Sequence, residues 1–172
     1  LPSATSTAVI WDIGAGTGSV SIEVARLLPH AQIFAIEKTA AGVLLIQRNC
    51  DRFQCPNITV VHQSAPDGLM GLPRPDRIFV GGGGAALGEI LAVCGDRLYP
   101  GGALVANFAT LESCAIAQDA LQGWPVQWLT ANLARSTTLR TRHPDAPNAT
   151  RFVPLNPVTL LQATKPDRTE HD

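Results

Sequence analysis

Residues 8–18 read Ala8-Val9-Ile10-Trp11-Asp12-Ile13-Gly14-Ala15-Gly16-Thr17-Gly18. An apolar run breaks into three glycines at alternate positions, and an amphipathic stretch follows at once. The run 8–13 predicts a strand buried on both faces. The stretch 19–28 predicts a helix with Val20, Val24, Leu27 and Leu28 on its buried side, closed by Pro29. Glycines between strand and helix do two jobs. They permit a tight turn, and they let a ligand approach main-chain amides with no Cβ in the way. The dinucleotide fingerprint asks for G-x-G-x-x-G, but here the third glycine comes one residue early and Ser19 stands in its place.

The same rhythm continues outward from this loop. Strand 32–36 ends at Glu37, and helix 39–53 follows with Val43, Ile46, Cys50 and Phe53 as its buried stripe. After a Cys55-Pro56-Asn57 turn comes strand 58–62. Strand 76–80 runs into Gly81, Gly82, Gly83 and Gly84, then helix 85–98 carries Leu87, Ile90, Leu91, Cys94 and Leu98 inward. Strand 103–108 and helix 110–121 complete the alternation. From Trp124 the pattern changes. Segments 126–134 and 152–163 read as strands with no helical crossover between them, which makes them antiparallel. Residues after Lys165 are polar and expected to fray. The expectation is one α/β domain over 1–165 with a tail at 166–172. Its sheet is mostly parallel, seven-stranded and covered on both faces, with an antiparallel C-terminal strand pair. Ligands on such sheets bind at the carboxyl ends of the strands, where both glycine clusters and Glu37 fall.

Composition narrows the function. The chain has 172 residues, and 16% are charged, below the ~25% usual for soluble domains. With 45% hydrophobic residues, disorder and a charged helical rod are excluded, and a surface hidden in a homo-oligomer is expected. A net charge of −1 argues against a basic nucleic-acid binder. No apolar run approaches the ~18 residues of a membrane span, and no leader peptide is visible. The first residue is Leu1, as in a fragment or one module of a longer polypeptide. Cys50, Cys55, Cys94 and Cys114 form no C-x-x-C pair, and His30, His62, His143 and His171 are scattered. Neither metal nor catalytic thiol is expected; Cys94 and Cys114, among apolar residues at helical spacing, read as small buried side chains in a reducing cytoplasm.

The D-x-G-x-G-x-G spacing of Asp12, Gly14, Gly16 and Gly18 resembles motif I of class I S-adenosylmethionine-dependent methyltransferases, a Rossmann-like fold. Glu37, 19 residues beyond Gly18, can accept hydrogen bonds from both ribose hydroxyls of a nucleoside. By the resemblance, Gly14, Ala15, Gly16, Thr17 and Gly18 cradle the cofactor and Asp12 helps hold its methionyl end. Ser64 and Ala65, at the third strand's exit, lie against adenine. Ser64 stands where many relatives carry Asp.

Five segments go further: WDIGAGTGSVSIE, RIFVGGGG, VANFATLES, LARS and RFVPLNPVTLL. Together, over about 9–164, they resemble the decarboxylating module of the precorrin-6Y C(5,15)-methyltransferase family of cobalamin biosynthesis. The resemblance implies methylation of carbon 15 of a corrinoid precursor, loss of carbon dioxide from its ring C acetate, and release of S-adenosylhomocysteine. It also implies a tetramer, either free-standing or fused behind a carbon-5 methyltransferase module. Relatives carry a cofactor-covering segment ahead of the first strand, whereas only residues 1–8 precede it here.

A flat polycarboxylate tetrapyrrole needs a wide apolar cleft with cations at its rim. The 81–84 glycines, Thr110 and Arg135 are the substrate-binding candidates, and Asn107 and Glu112 the catalytic ones. Thr110 and Glu112 equally suit the N-cap and first turn of a helix. Arg135, Arg140, Arg142 and Arg151 fall close together, opposed only by Asp145, and arginine meets carboxylates with two parallel bonds. The competing readings are a methyltransferase of the same fold acting on RNA or protein, and a non-catalytic scaffold subunit.

Overall fold

The computed structural model of the protein describes residues 7–139 and 149–167. The first half alternates β1 (Val9–Ile13), α1 (Ser19–Leu27), β2 (Gln32–Glu37), α2 (Ala40–Phe53) and β3 (Ile58–His62). The second continues with β4 (Arg77–Val80), α3 (Leu87–Arg97), β5 (Ala103–Phe108) and α4 (Leu111–Ala120). Four strands close the chain: β6 (Val126–Ala131), β7 (Ala134–Leu139), β8 (Ala149–Pro154) and β9 (Val158–Thr164). The main sheet has seven strands in the order β3-β2-β1-β4-β5-β9-β6, and only β9 runs antiparallel to its neighbours. That is the α/β class read from the alternation. Strand order reverses between β1 and β4, whose last residues pair as Ile13 with Val80. The Gly14 and Gly81 loops therefore leave the sheet side by side.

Each face of the sheet is sealed separately. On one face Trp11, Ile78, Val80, Leu104, Ala106 and Leu161 pack against Leu87, Ile90, Leu91, Cys94 and Leu98, the stripe expected of α3. On the other, Ile10 and Ile33 pack against Ile22 and Ala25 of α1, and Ala35 packs on Ile46 of α2. Trp11 is wholly buried, and its indole N–H donates to the Pro73 carbonyl at 3.1 Å.

Four expectations need correction. The inward face of α1 is Ser21, Ile22 and Ala25, while Leu27 and Leu28 are exposed. The hydrophobic period alone allowed either phase, and the short helix settled on the one that seats small residues against β1. Phe53 ends α2 in solvent, stacked beside the Arg52 guanidinium. Cys94 is buried, with its thiol pushed up to about 12 by desolvation, but Cys114 is only half-buried. The fourth concerns the strand region after Trp124. Segment 126–134 is strand only as far as Ala131, and 152–163 is broken at residues 155–157, where Asn156-Pro157 interrupts the ladder.

The pieces so released, β7 and β8, pair with each other as a separate two-stranded sheet. Ala131 pairs with Val158, beside the Phe108–Thr159 pair. The β7–β8 hairpin thus springs from the same sheet edge as the glycine loops. Lys165 is tied down, its ammonium donating to the Leu98 carbonyl at 2.8 Å beyond the end of α3. Residues 168–172 of the expected tail, with Arg140, Arg142 and Asp145, lie outside the described residues.

Candidate functional site

The β1–α1 loop is pinned from two sides. Gly14 and Ala15 both donate their N–H to the Ile36 carbonyl, at 2.9 and 3.0 Å, and Gly16 donates to Glu37 Oε2 at 3.0 Å. Gly14 has φ +76, and a Cβ there would meet the Gly82 backbone at 3.3 Å. A Cβ on Gly81 would in turn meet the Gly14 carbonyl at 3.1 Å. The two loops lie back to back at Gly14 and Gly81, where a side chain on either would crowd the facing backbone.

Glu37 closes β2 beneath this loop. Its Oε1 accepts from the Thr39 N–H at 2.8 Å and the Thr39 hydroxyl at 2.7 Å. Burial by itself pushes this carboxyl up. The donors from Thr39, Gly16 and Lys38 together outweigh that and hold it below the ordinary glutamate value, so it is ionised at neutral pH. Oε2 has a single partner among the described residues, which leaves it free to accept from a ligand. Gly42 makes the arrangement possible, since a Cβ there would fall 2.7 Å from Glu37 Cγ.

Asp12 lies deeper. Its Oδ2 accepts from both the N–H and the hydroxyl of Ser21, while Oδ1 is buried with no partner among the described residues. Desolvation raises its pKa, partly countered by Ser21, and the nearby Glu37 charge raises it further.

Two cavities open along this edge of the sheet, with glycines 82–84 between them. The first, about 480 Å³, is lined by Gly14, Glu37, Lys38, Gln63, Ser64 and Ala65, and beyond the glycines by Ala85, Ala86 and Ile90. The second, about 270 Å³, is lined by Gly81, Leu87, Asn107, Phe108, Ala109, Thr110, Ser113 and Val158 as well. A Cβ on Gly82 or Gly84 would meet nothing within 4 Å and would project into open space. A wider hollow of about 800 Å³ lies at the opposite edge, by Val9 and Gly102, away from all of these residues.

Most of the residues expected at a site are thus brought together, but in different capacities. Gly14, Glu37, Ser64 and Ala65 line the first cavity, and Gly81, Gly82, Gly83, Gly84, Asn107 and Thr110 line the second. Asp12, Ala15 and Gly16 support the loop from below. A Cβ on Gly18 would meet the Ile46 side chain at 3.1 Å, and Thr17 offers its carbonyl to the Asn49 amide at 2.9 Å; neither residue lines the cavity. Thr110 caps α4, accepting from the Ser113 N–H at 3.2 Å, and Glu112 is exposed in the first turn, lining neither cavity. Arg135 sits near the base of the exposed hairpin, paired with Val153, and it too lines neither cavity.

Sequence reading missed Lys38, Ala85, Ala86 and Ile90 as lining residues, and Ser21, Thr39 and Gly42 as supports, whereas Gln63 lines the first cavity with Ser64 and Ala65 as the third strand's exit suggested. Thr39 carried a usable signal, a hydroxyl residue just ahead of an amphipathic helix. The others carried none, because only the packing of distant loops brings them to the cavity.

A cleft of this shape suits a nucleoside: an ionised acceptor for sugar hydroxyls, a glycine floor and a partly apolar far wall. Among the described residues no cluster of His, Cys, Asp and Glu could hold a metal ion. Nor is any helix there long and apolar enough to cross a membrane.

Comparison with known proteins points the same way. The precorrin methyltransferase domain family matches residues 3–165. The cobalt-precorrin-6B C(15)-methyltransferase (decarboxylating) of Salmonella typhimurium is 35% identical over 164 residues, covering 94% of this chain and 81% of that protein. The precorrin-6Y C(5,15)-methyltransferase [decarboxylating] of a Sinorhizobium species is 42% identical over 111 residues. That match takes in 64% of this chain but spans only 27% of the longer protein. Among solved structures, precorrin-6Y C5,15-methyltransferase from Geobacter metallireducens superposes with a TM-score of 0.80 at 37% identity, covering 91% of this chain and 78% of the other.

Proposed function

Because the chain belongs to the precorrin methyltransferase domain family, we propose that it moves a methyl group from S-adenosylmethionine to carbon 15 of a precorrin and removes carbon dioxide from the same substrate. The observation that carries this is the ionised Glu37, held against Gly16 at the mouth of a cleft floored by Gly14 and divided from a second cavity by bare glycine backbone. S-Adenosylmethionine fits that cleft. Glu37 Oε2 would accept from the ribose, Ser64 and Ala65 would lie against the adenine, and Asp12 Oδ1, buried beneath the loop with no partner among the described residues, would support the methionyl end. When bound, the cofactor supplies an electrophilic methyl group on a sulfonium, so the transfer is a direct displacement.

The chain's own part is alignment and exclusion of water. Glycines 82–84 let a flat ring lie against backbone between the two cavities. Asn107 and Thr110 meet it on the far side, and Arg135, on the hairpin at the same edge, reaches a peripheral carboxylate. Incubation with a reduced precorrin and the methyl donor, followed by mass spectrometry, should show a gain of one methyl and loss of one carbon dioxide. A methylated RNA or protein with an unchanged precorrin would overturn the reading.

Self-association belongs to the same proposal. An isolated two-stranded sheet is marginal in water, yet every residue of β7 is exposed, Phe152 of β8 is 75% exposed, and Leu133, just ahead of β7, is 65% exposed. Copies of the hairpin packed together would cover this surface. Light scattering should report an oligomer that Phe152→Asp shifts toward monomer, and a clean monomer for the unaltered chain would remove the inference. The four free cysteines suit a cytoplasmic enzyme.

A further inference from the structure

The second cavity has no charged side chain among its lining residues. Its polar groups are the amide of Asn107 and the hydroxyls of Thr110 and Ser113; the rest is glycine backbone and carbon, chiefly Leu87 and Phe108. Asn107 Oδ1 is buried there with no hydrogen-bond partner among the described residues. The Thr110 hydroxyl donates to Ser113 Oγ at 3.0 Å, which leaves the Ser113 hydroxyl proton free to donate onward. Such a cavity is an unusual neighbour for a polycarboxylate substrate. Carboxylates that only need anchoring are met by arginine, as Arg135 at the hairpin base would do.

We propose that this cavity is the decarboxylation subsite, seating the one carboxylate that departs and holding it with neutral donors alone. The proposal rests on the functional reading above and deepens it. Decarboxylation disperses charge. The C–CO2 bond breaks, its electron pair enters the conjugated macrocycle, and carbon dioxide leaves neutral. The pair forms the new carbon–methyl bond as the sulfonium–methyl bond breaks toward sulfur, and a proton shift within the macrocycle leaves the former acetate carbon as a methyl group.

A cation beside the carboxylate would stabilise the localised charge of the ground state more than the dispersed charge of the transition state. Neutral hydroxyl and amide donors orient the group without that penalty. The first turn of α4 adds a partial positive charge, far weaker than a guanidinium, and Glu112 in the same turn offsets it. A half-turn of the Asn107 side-chain amide puts its NH2 where Oδ1 now lies, so that the amide donates to the carboxylate there.

The test compares Ser113→Lys with Ser113→Met in the full chain, two substitutions of similar length that differ in charge. Thermal melts establish that both fold, and Ala109→Lys with Ala109→Met repeats the comparison at a second, exposed lining position. Carbon dioxide release from the reduced precorrin is followed by headspace mass spectrometry. Precorrin affinity is measured with S-adenosylhomocysteine bound, where no transfer can occur. Each lysine variant should bind precorrin more tightly than its methionine counterpart and release carbon dioxide about tenfold more slowly, the factor that corresponds to ~1.4 kcal/mol of ground-state stabilisation. Equal rates, a faster lysine variant, or no gain in affinity overturns the subsite. An unaltered chain that neither methylates nor decarboxylates precorrin overturns the functional reading itself, a different result.

Discussion

Trp11→Ala should cost the fold about 3–5 kcal/mol, the usual range for emptying a buried aromatic site. Trp11 is fully buried in the middle of β1, the strand from which the sheet is built outward in both directions. Its ring fills the layer between the sheet and α3. The loss has two parts. A cavity opens where neighbours on both sides are held by strand pairing and cannot collapse inward. The Pro73 carbonyl also loses the indole donor that met it at 3.1 Å. Trp11→Phe separates them, keeping much of the volume while dropping only the hydrogen bond, worth ~1 kcal/mol. For a domain whose total stability is ~5–15 kcal/mol, the alanine variant should unfold at a much lower denaturant concentration. A shift worth under ~1 kcal/mol would mean that this face of the sheet is not sealed as described.

Glu37→Ala should weaken S-adenosylmethionine binding by roughly 1.5–3 kcal/mol, the scale of hydrogen bonds to a charged group, which is about tenfold to a hundredfold in Kd. The carboxylate acts twice. It offers Oε2 to the ligand, and it holds the Gly16 N–H that shapes the glycine loop. Thr39 still caps α2 in the variant, because its hydroxyl accepts from the Gly42 N–H independently at 3.1 Å, so the fold should survive. Calorimetry decides the matter, and an unchanged Kd would remove Glu37 from the cofactor site. The pH dependence has a definite sign. Hydrogen bonding lowers the Glu37 pKa in the folded protein. Its contribution to stability is therefore complete above the unfolded value of ~4.3 and is lost as pH falls through the lower folded value. Asp12 works in the opposite sense. Burial raises its pKa, so ionising it costs stability as pH rises through the unfolded and then the folded value.

Several elements were legible in the residues because their signals are local. Strand 103–108 coincides with β5, and the α3 stripe of Leu87, Ile90, Leu91, Cys94 and Leu98 is inward as expected. The glycines at 14, 16 and 18 all take positive φ, the conformation for which alternating glycines are suited. Glu37 was placed by the end of its strand and by its spacing of 19 residues beyond Gly18. Local signals failed where two phases or two partners were equally open. The nine residues of α1 allowed more than one inward stripe, and the choice fell to the space above Ile10 and Ile33. Residues 126–139 mix β-type side chains with Ala, Asn and Ser, and no glycine or proline punctuates them, so nothing in them marks where the main sheet ends and the hairpin begins.

By itself the sequence determined the alternation of strands and helices, the glycine turn and the acid that follows it, since each is set by residues a few positions apart. Only the tertiary structure set Gly14 against Gly82, separated two cavities with one glycine run, left Asn107 Oδ1 without a partner among the described residues, and brought the hairpin to the edge where the cavities open. Those relations join positions tens of residues apart. They arise from how layers pack and which strands pair, and no local period or propensity encodes them.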